Sequence, residues 1–126
     1  MITIEITGGP TFQVPYKAKM NAQQAIEEVI DDPANKNQFT FLLQYYGSSL
    51  GYLVDMINGT YDTTIIGQNI GQPYFFWDIL YNGTSATKGI DNLILNDNDK
   101  IGFNFQIYDP TAHAGTTMEA KRKKQG

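Results

Sequence analysis

Only one stretch of this chain carries a helical period, and it sits between stretches that alternate at two. In NAQQAIEEVIDDP the residues Ala22, Ala25, Ile26, Val29 and Ile30 recur on one face of a 3.6-residue repeat. Asn21 can cap the start, Gln24 stands at the capping-box position, and Pro33 ends the segment after about three turns. Before it, ITIEIT alternates Ile inward with Thr and Glu outward, and Gly8-Gly9-Pro10 turns the chain into TFQVPY, which is a hairpin signal. A hairpin, one helix and then further strands predict an α+β domain over residues 1–110: a β-grasp-like mixed sheet with one covering helix. Beyond Asp109-Pro110 no period survives, so residues 111–126 read as a flexible basic tail.

The strands that follow the helix are rich in aromatic residues. FTFLLQYY (39–46) and GYLVDMI (51–57) flank the short break Gly47-Ser48-Ser49, and a polar loop then leads to PYFFWDILYNG. That stretch holds five of the sixteen Phe, Trp and Tyr residues, including the only Trp. Alternation puts Phe75, Trp77, Ile79 and Tyr81 on one face and Tyr74, Phe76, Asp78 and Leu80 on the other. The final strand, KIGFNFQIY, sets Ile101, Phe103, Phe105 and Ile107 against a second face of smaller or polar residues. Asn58-Gly59 and Asn82-Gly83 match glycosylation sequons with the Thr that follows each, but Asn-Gly pairs between strands read more economically as hairpin turns. One helix covers one sheet face, which leaves apolar surface for a ligand, a partner or a second copy; the alternative is a thicker core closed by the 59–73 loop.

Composition removes much ordinary enzymology. There is no cysteine, and the single histidine, His113, stands in the tail among Thr, Ala and Gly with nothing to orient it. Asp91, Asp97 and Asp99 with Asn96 and Asn98 lack the spacing of a calcium loop and read as turn formers before a strand. The acid pairs Glu27-Glu28 and Asp31-Asp32 belong to the solvated face and end of the helix. Residues 119–126 carry four basic groups and one acid, so the remaining body has five basic and twelve acidic residues, a net of −7. Such a body repels phosphate backbones, which excludes nucleic acid as its partner. No apolar run is long enough to span a bilayer. The start MITIEITGG lacks the regions of a signal peptide, so a soluble chain is expected, secreted or displayed at a cell surface only if a leader was removed. These readings point to a non-enzymatic binding module; the alternative is an interaction or scaffold domain that turns the same apolar surface to another protein.

Residues 18–108 resemble the C-terminal β domain shared by transcobalamin, intrinsic factor, haptocorrin and their bacterial relatives. The resemblance is carried by Phe76-Trp77 before a short strand, Thr87-Lys88-Gly89-Ile90, Asn98-Asp99 before the last strand, a strand ending near Tyr108, and NAQQAIEEV. It implies cobalamin as the bound ligand, with contacts from Ser49, Leu50, Gly51, Tyr52, Leu53 and Val54 on one strand and Trp77, Asp78 and Ile79 on another. It also implies a helical partner domain, expected on another chain. A corrinoid is a broad apolar disc fringed with amides, suited to flat hydrophobic contact and backbone polar groups.

Overall fold

In the computed structural model, residues 1–35, 38–48, 50–61 and 74–108 are described, apart from the side chains of Tyr74 and Tyr108. The elements are β1 (Ile2–Ile6), β2 (Thr11–Val14), α1 (Ala22–Asp31), β3 (Phe41–Tyr45), β4 (Tyr52–Ile57), β5 (Thr60–Tyr61), β6 (Tyr74–Tyr81), β7 (Thr84–Ser85) and β8 (Lys100–Tyr108). Strands β2-β1-β8-β6-β7 form one sheet and β3-β4-β5 a second. The first and last strands pair in parallel at the centre, and every other ladder is antiparallel. The result is a mixed sheet with one helix, the expected β-grasp-like α+β fold.

Local chemistry explains the elements. Asn21 accepts from the Gln24 backbone N–H at 2.8 Å while the Gln24 side chain accepts from the Asn21 N–H, a complete capping box. Ala22, Ala25, Ile26 and Val29 are buried, whereas Ile30, the fifth residue of the predicted stripe, is exposed at the helix edge. At both Asn-Gly pairs the two residues have positive φ (49° and 86° at Asn58-Gly59, 50° and 88° at Asn82-Gly83). That backbone follows the right-handed twist of the strands it joins, so each pair closes a tight hairpin, β4 to β5 and β6 to β7.

The sheet face beneath α1 is filled by Ile2, Ile4, Ile6, Phe12, Val14, Ile79, Ile101 and Phe103. The helix rests on β1 and β2, while β4 of the small sheet contacts β6. Helix and small sheet thus share one core, and Phe39 ties the two sheets together by stacking on Phe12 at 5.6 Å, meeting Phe103 edge-on at 6.3 Å and tilting against Phe41 of β3 at 5.6 Å.

Candidate functional site

The two segments expected to carry a ligand are brought to the same part of the molecule, but mostly as core. Leu50, Leu53, Val54 and Ile79 are at most 2 % exposed, so their side chains are already occupied by packing. Gly51 is buried and Tyr52 half-buried, and Ser49 lies outside the described residues. Trp77 is 7 % exposed, its ring packs on that of Phe105 at 5.0 Å, and its indole N–H donates to the Thr60 carbonyl at 2.9 Å. It pairs across the ladder with Phe105 and joins the core row with Ile79 and Phe103.

The segment around Gly89 joins the small sheet to the helix. The Gly89 and Ile90 N–H groups donate to the carbonyls of Leu50 and Tyr52, and the Tyr52 N–H donates to Asp91 Oδ1 at 2.8 Å. The same segment turns its carbonyls to the helix start: Ile90 accepts from the Gln23 N–H and Leu93 from the Ala22 N–H. Free N–H groups at a helix start need such acceptors. The crossing is close enough to demand glycine. A Cβ on Gly89 would overlap the Tyr52 carbonyl and lie 2.7 Å from that of Leu50, and one on Gly51, at φ +83°, would overlap the Asp91 carboxylate.

What this joint holds up to solvent is an aromatic pair. Tyr45 and Tyr52 face each other across the β3–β4 ladder with ring centroids 5.0 Å apart, and Tyr45 is 53 % exposed. Leu42 on the same strand is also exposed. Leu42 pairs with Met56 and Leu43 with Val54, so Asp55 is the extra residue of a β-bulge. The bulge leaves Leu53, Val54 and Asp55 consecutively buried, and Tyr46 donates its hydroxyl toward Asp55 at 3.4 Å. Sequence reasoning passed over Tyr45 and Asp55: the alternation of FTFLLQYY showed that Tyr45 is on a strand but not that its face is open, and no residue type marks the bulge.

Two further buried carboxylates tune the electrostatics. Asp78 accepts from Ser85 at 2.7 Å and Gln106 at 2.6 Å, yet desolvation by burial outweighs those bonds and pushes its carboxyl above the usual range. Asp99 also feels burial, but bonds from the Asn96 N–H, Tyr81 and Asn82 prevail and hold it low. It is the bolt of the turn before β8, as the turn reading of that acidic run requires. Among the described residues no group of three or more metal-ligating side chains converges. A shallow cavity of about 540 Å³ is lined wholly by residues of the 17–31 segment, including Glu27, Glu28 and Asp31, and includes none of the expected site residues. Among the described residues no helix is long and apolar enough to cross a membrane. His113 and the basic run 121–124 lie outside the described residues.

No curated protein matches this chain. Among solved structures it is similar to a "putative metal binding protein" from Ruminococcus gnavus ATCC 29149, with a TM-score of 0.50 and 14 % identity over 83 % of this chain and 92 % of that one. At that identity the likeness speaks for the fold alone. The model of the domain of unknown function DUF4430 matches residues 22–106, from the first residue of α1 to near the end of β8, and the chain belongs to that family.

Proposed function

We propose that this domain is a non-enzymatic binding module that takes a broad, flat, mainly apolar ligand against the Tyr45–Tyr52 pair, with cobalamin as the specific candidate. The observation that carries the reading is the pair itself: two adjacent aromatic rings, inclined at 51° to each other and one of them more than half exposed, mounted on a joint whose backbones are locked by Gly51, Gly89 and Asp91. Rigid aromatic surface costs little conformational entropy to present, which is what a disc-shaped ligand needs. Cobalamin is the candidate because of the resemblance over residues 18–108, in which Leu50, Gly51 and Tyr52 fall at the contact strand. Exposure supports Tyr52 and its neighbour Tyr45, with the adjoining backbone of Leu50 and Gly51, as the contact surface in this reading.

Isothermal titration of cobalamin into wild type, Tyr45→Ala and Tyr52→Ala tests this reading. Either truncation is expected to weaken binding about tenfold, ~1.4 kcal/mol. As the sole tryptophan, Trp77 reports the same event by quenching beyond the inner-filter effect. A wild type that gives no heat at high micromolar ligand sinks the corrinoid reading and passes the surface to a protein partner.

A further inference from the structure

Among the described residues the two sheets have four edge strands: β2 and β7 in the first, β3 and β5 in the second. Three are blunted against stray pairing. β2 is flanked by Pro10 and Pro15, and β5 and β7 are two residues long. β3 differs in each respect: five residues, FLLQY, with no proline and no charge, and with Leu42 and Tyr45 exposed. It also lies inside the longest uncharged tract of an otherwise acidic body, residues 37–54. Charged side chains are a usual guard on such an edge, and here none is present.

The ladder shows which backbone groups are on offer. The Tyr46 N–H donates to Gly51 and the Thr40 carbonyl accepts from Asn58, so these even-numbered residues face β4. Alternation turns the N–H and C=O groups of Phe41, Leu43 and Tyr45 outward, where no described residue pairs with them. This set is self-complementary. A two-fold axis through Leu43 sets Leu43 opposite its own copy and Phe41 opposite Tyr45 of the second chain, so every outward residue meets an outward residue. Each of those pairs can exchange both bonds, about six in total. The two Phe–Tyr pairs then lie across the new ladder, an aromatic arrangement that favours pairing.

From this we infer that β3 is an isologous docking edge for a second copy of the chain, joining two three-stranded sheets into one of six. The charge pattern selects that occupant. A basic partner would be drawn to the acidic outer face of α1, whereas a copy bearing net charge −4 can approach only where both surfaces are uncharged. Five residues of edge contact fall below the ~1,200 Å² of a stable interface, so the dimer is transient and depends on concentration. The inference does not rest on cobalamin binding.

Sedimentation velocity of the full chain from low micromolar to millimolar concentration is the test, with Leu42→Lys/Gln44→Lys and Leu42→Glu/Gln44→Glu as variants. Both positions are exposed, and Leu42 lies opposite Gln44 of the second chain in the two-fold register. Wild type is expected to shift from monomer to dimer and no further. Each variant alone should associate at least tenfold more weakly, and an equimolar mixture of the two should recover a heterodimer. Circular dichroism and thermal melts establish that each variant is folded, and either one suffices to read the loss. A wild type that stays monomeric to millimolar concentration overturns the inference. So does a dimer that survives in a folded variant, or growth into species beyond the dimer.

Discussion

The five-stranded sheet and the three-stranded sheet of this domain bury their residues in opposite styles. In the first, β1 reads as strict alternation around Ile2, Ile4 and Ile6, each at most 5 % exposed, and its partner β8 contributes Ile101 and Phe103 at 1 % or less. In the second, none of the five residues of β3 is buried, and only β4 reaches the core. The first sheet is therefore where most folding free energy is stored, and the second is held in place through Leu53, Val54 and Ile57 of β4 and a few attachments: the Gly89 crossing, the Trp77 bond to Thr60, and Phe39. Regions with few buried contacts open at lower free energy than the core they lean on, and ligand surfaces are drawn from them.

The largest expected effect tests the storage half of that contrast. Phe103→Ala should cost roughly 3 to 5 kcal/mol, since it empties the centre of the core beside Phe39. Trp77→Ala should fall in the same range, because the ring is buried and its N–H is bonded. Chemical denaturation measures both. A Trp77→Ala protein that melts like wild type would mean that its indole does not belong to the core.

Next in size is the joint. Gly89→Ala should cost about 1 to 3 kcal/mol, because the atoms a Cβ would strike are backbone carbonyls that cannot rotate aside. Hydrogen exchange should show the loss concentrated in β3 and β4, with the amides of β1 and β8 keeping their protection. Uniform loss across both sheets would break the comparison and make the molecule one cooperative unit.

Much of this architecture was legible in the sequence because it depends on local rules. The capping box at Asn21 and Gln24, the Asn-Gly turns, and the alternation of KIGFNFQIY each announce themselves within a few residues. Alternation also placed Trp77 in the row with Ile79 and Phe103, which is where it lies; only the resemblance to cobalamin carriers drew it toward a ligand. The rest depends on contacts distant in sequence. The bulge at Asp55 arises from β4 pairing out of step with β3, and two-residue strands such as β5 and β7 exist only through their neighbours. The openness of the Tyr45 face is likewise set by what packs nearby and has no sequence mark.

A smaller effect, with a sign, comes from Asp78 on the face of the five-stranded sheet away from α1. Its folded carboxyl titrates above the ordinary 3.8, so the folded state holds its proton more tightly than the unfolded chain. The contribution to stability is then full below 3.8 and declines as pH rises from there through the raised value. Asp78→Asn keeps an oxygen to accept from Ser85 or Gln106 and removes the titration. The variant should flatten that part of the stability profile and be at least as stable as wild type at neutral pH. A variant markedly less stable there would show that the ionised carboxylate is what Ser85 and Gln106 are arranged to hold.

The smallest effect on stability should come from Tyr45→Ala, and it sharpens the contrast most. Tyr45 is 53 % exposed, pairs only with Tyr52 among the described rings, and lies outside the core cluster, so its loss should move stability by no more than about 0.5 kcal/mol. The half-buried Tyr52 should cost more when truncated, since its ring packs against the core. If Tyr45 exists to present a surface, the same substitution that barely shifts the melt should lower cobalamin affinity about tenfold. Melts and titrations on one preparation separate the outcomes. A large stability loss would make Tyr45 part of the fold, whereas unchanged affinity with a normal melt would remove it from the ligand surface.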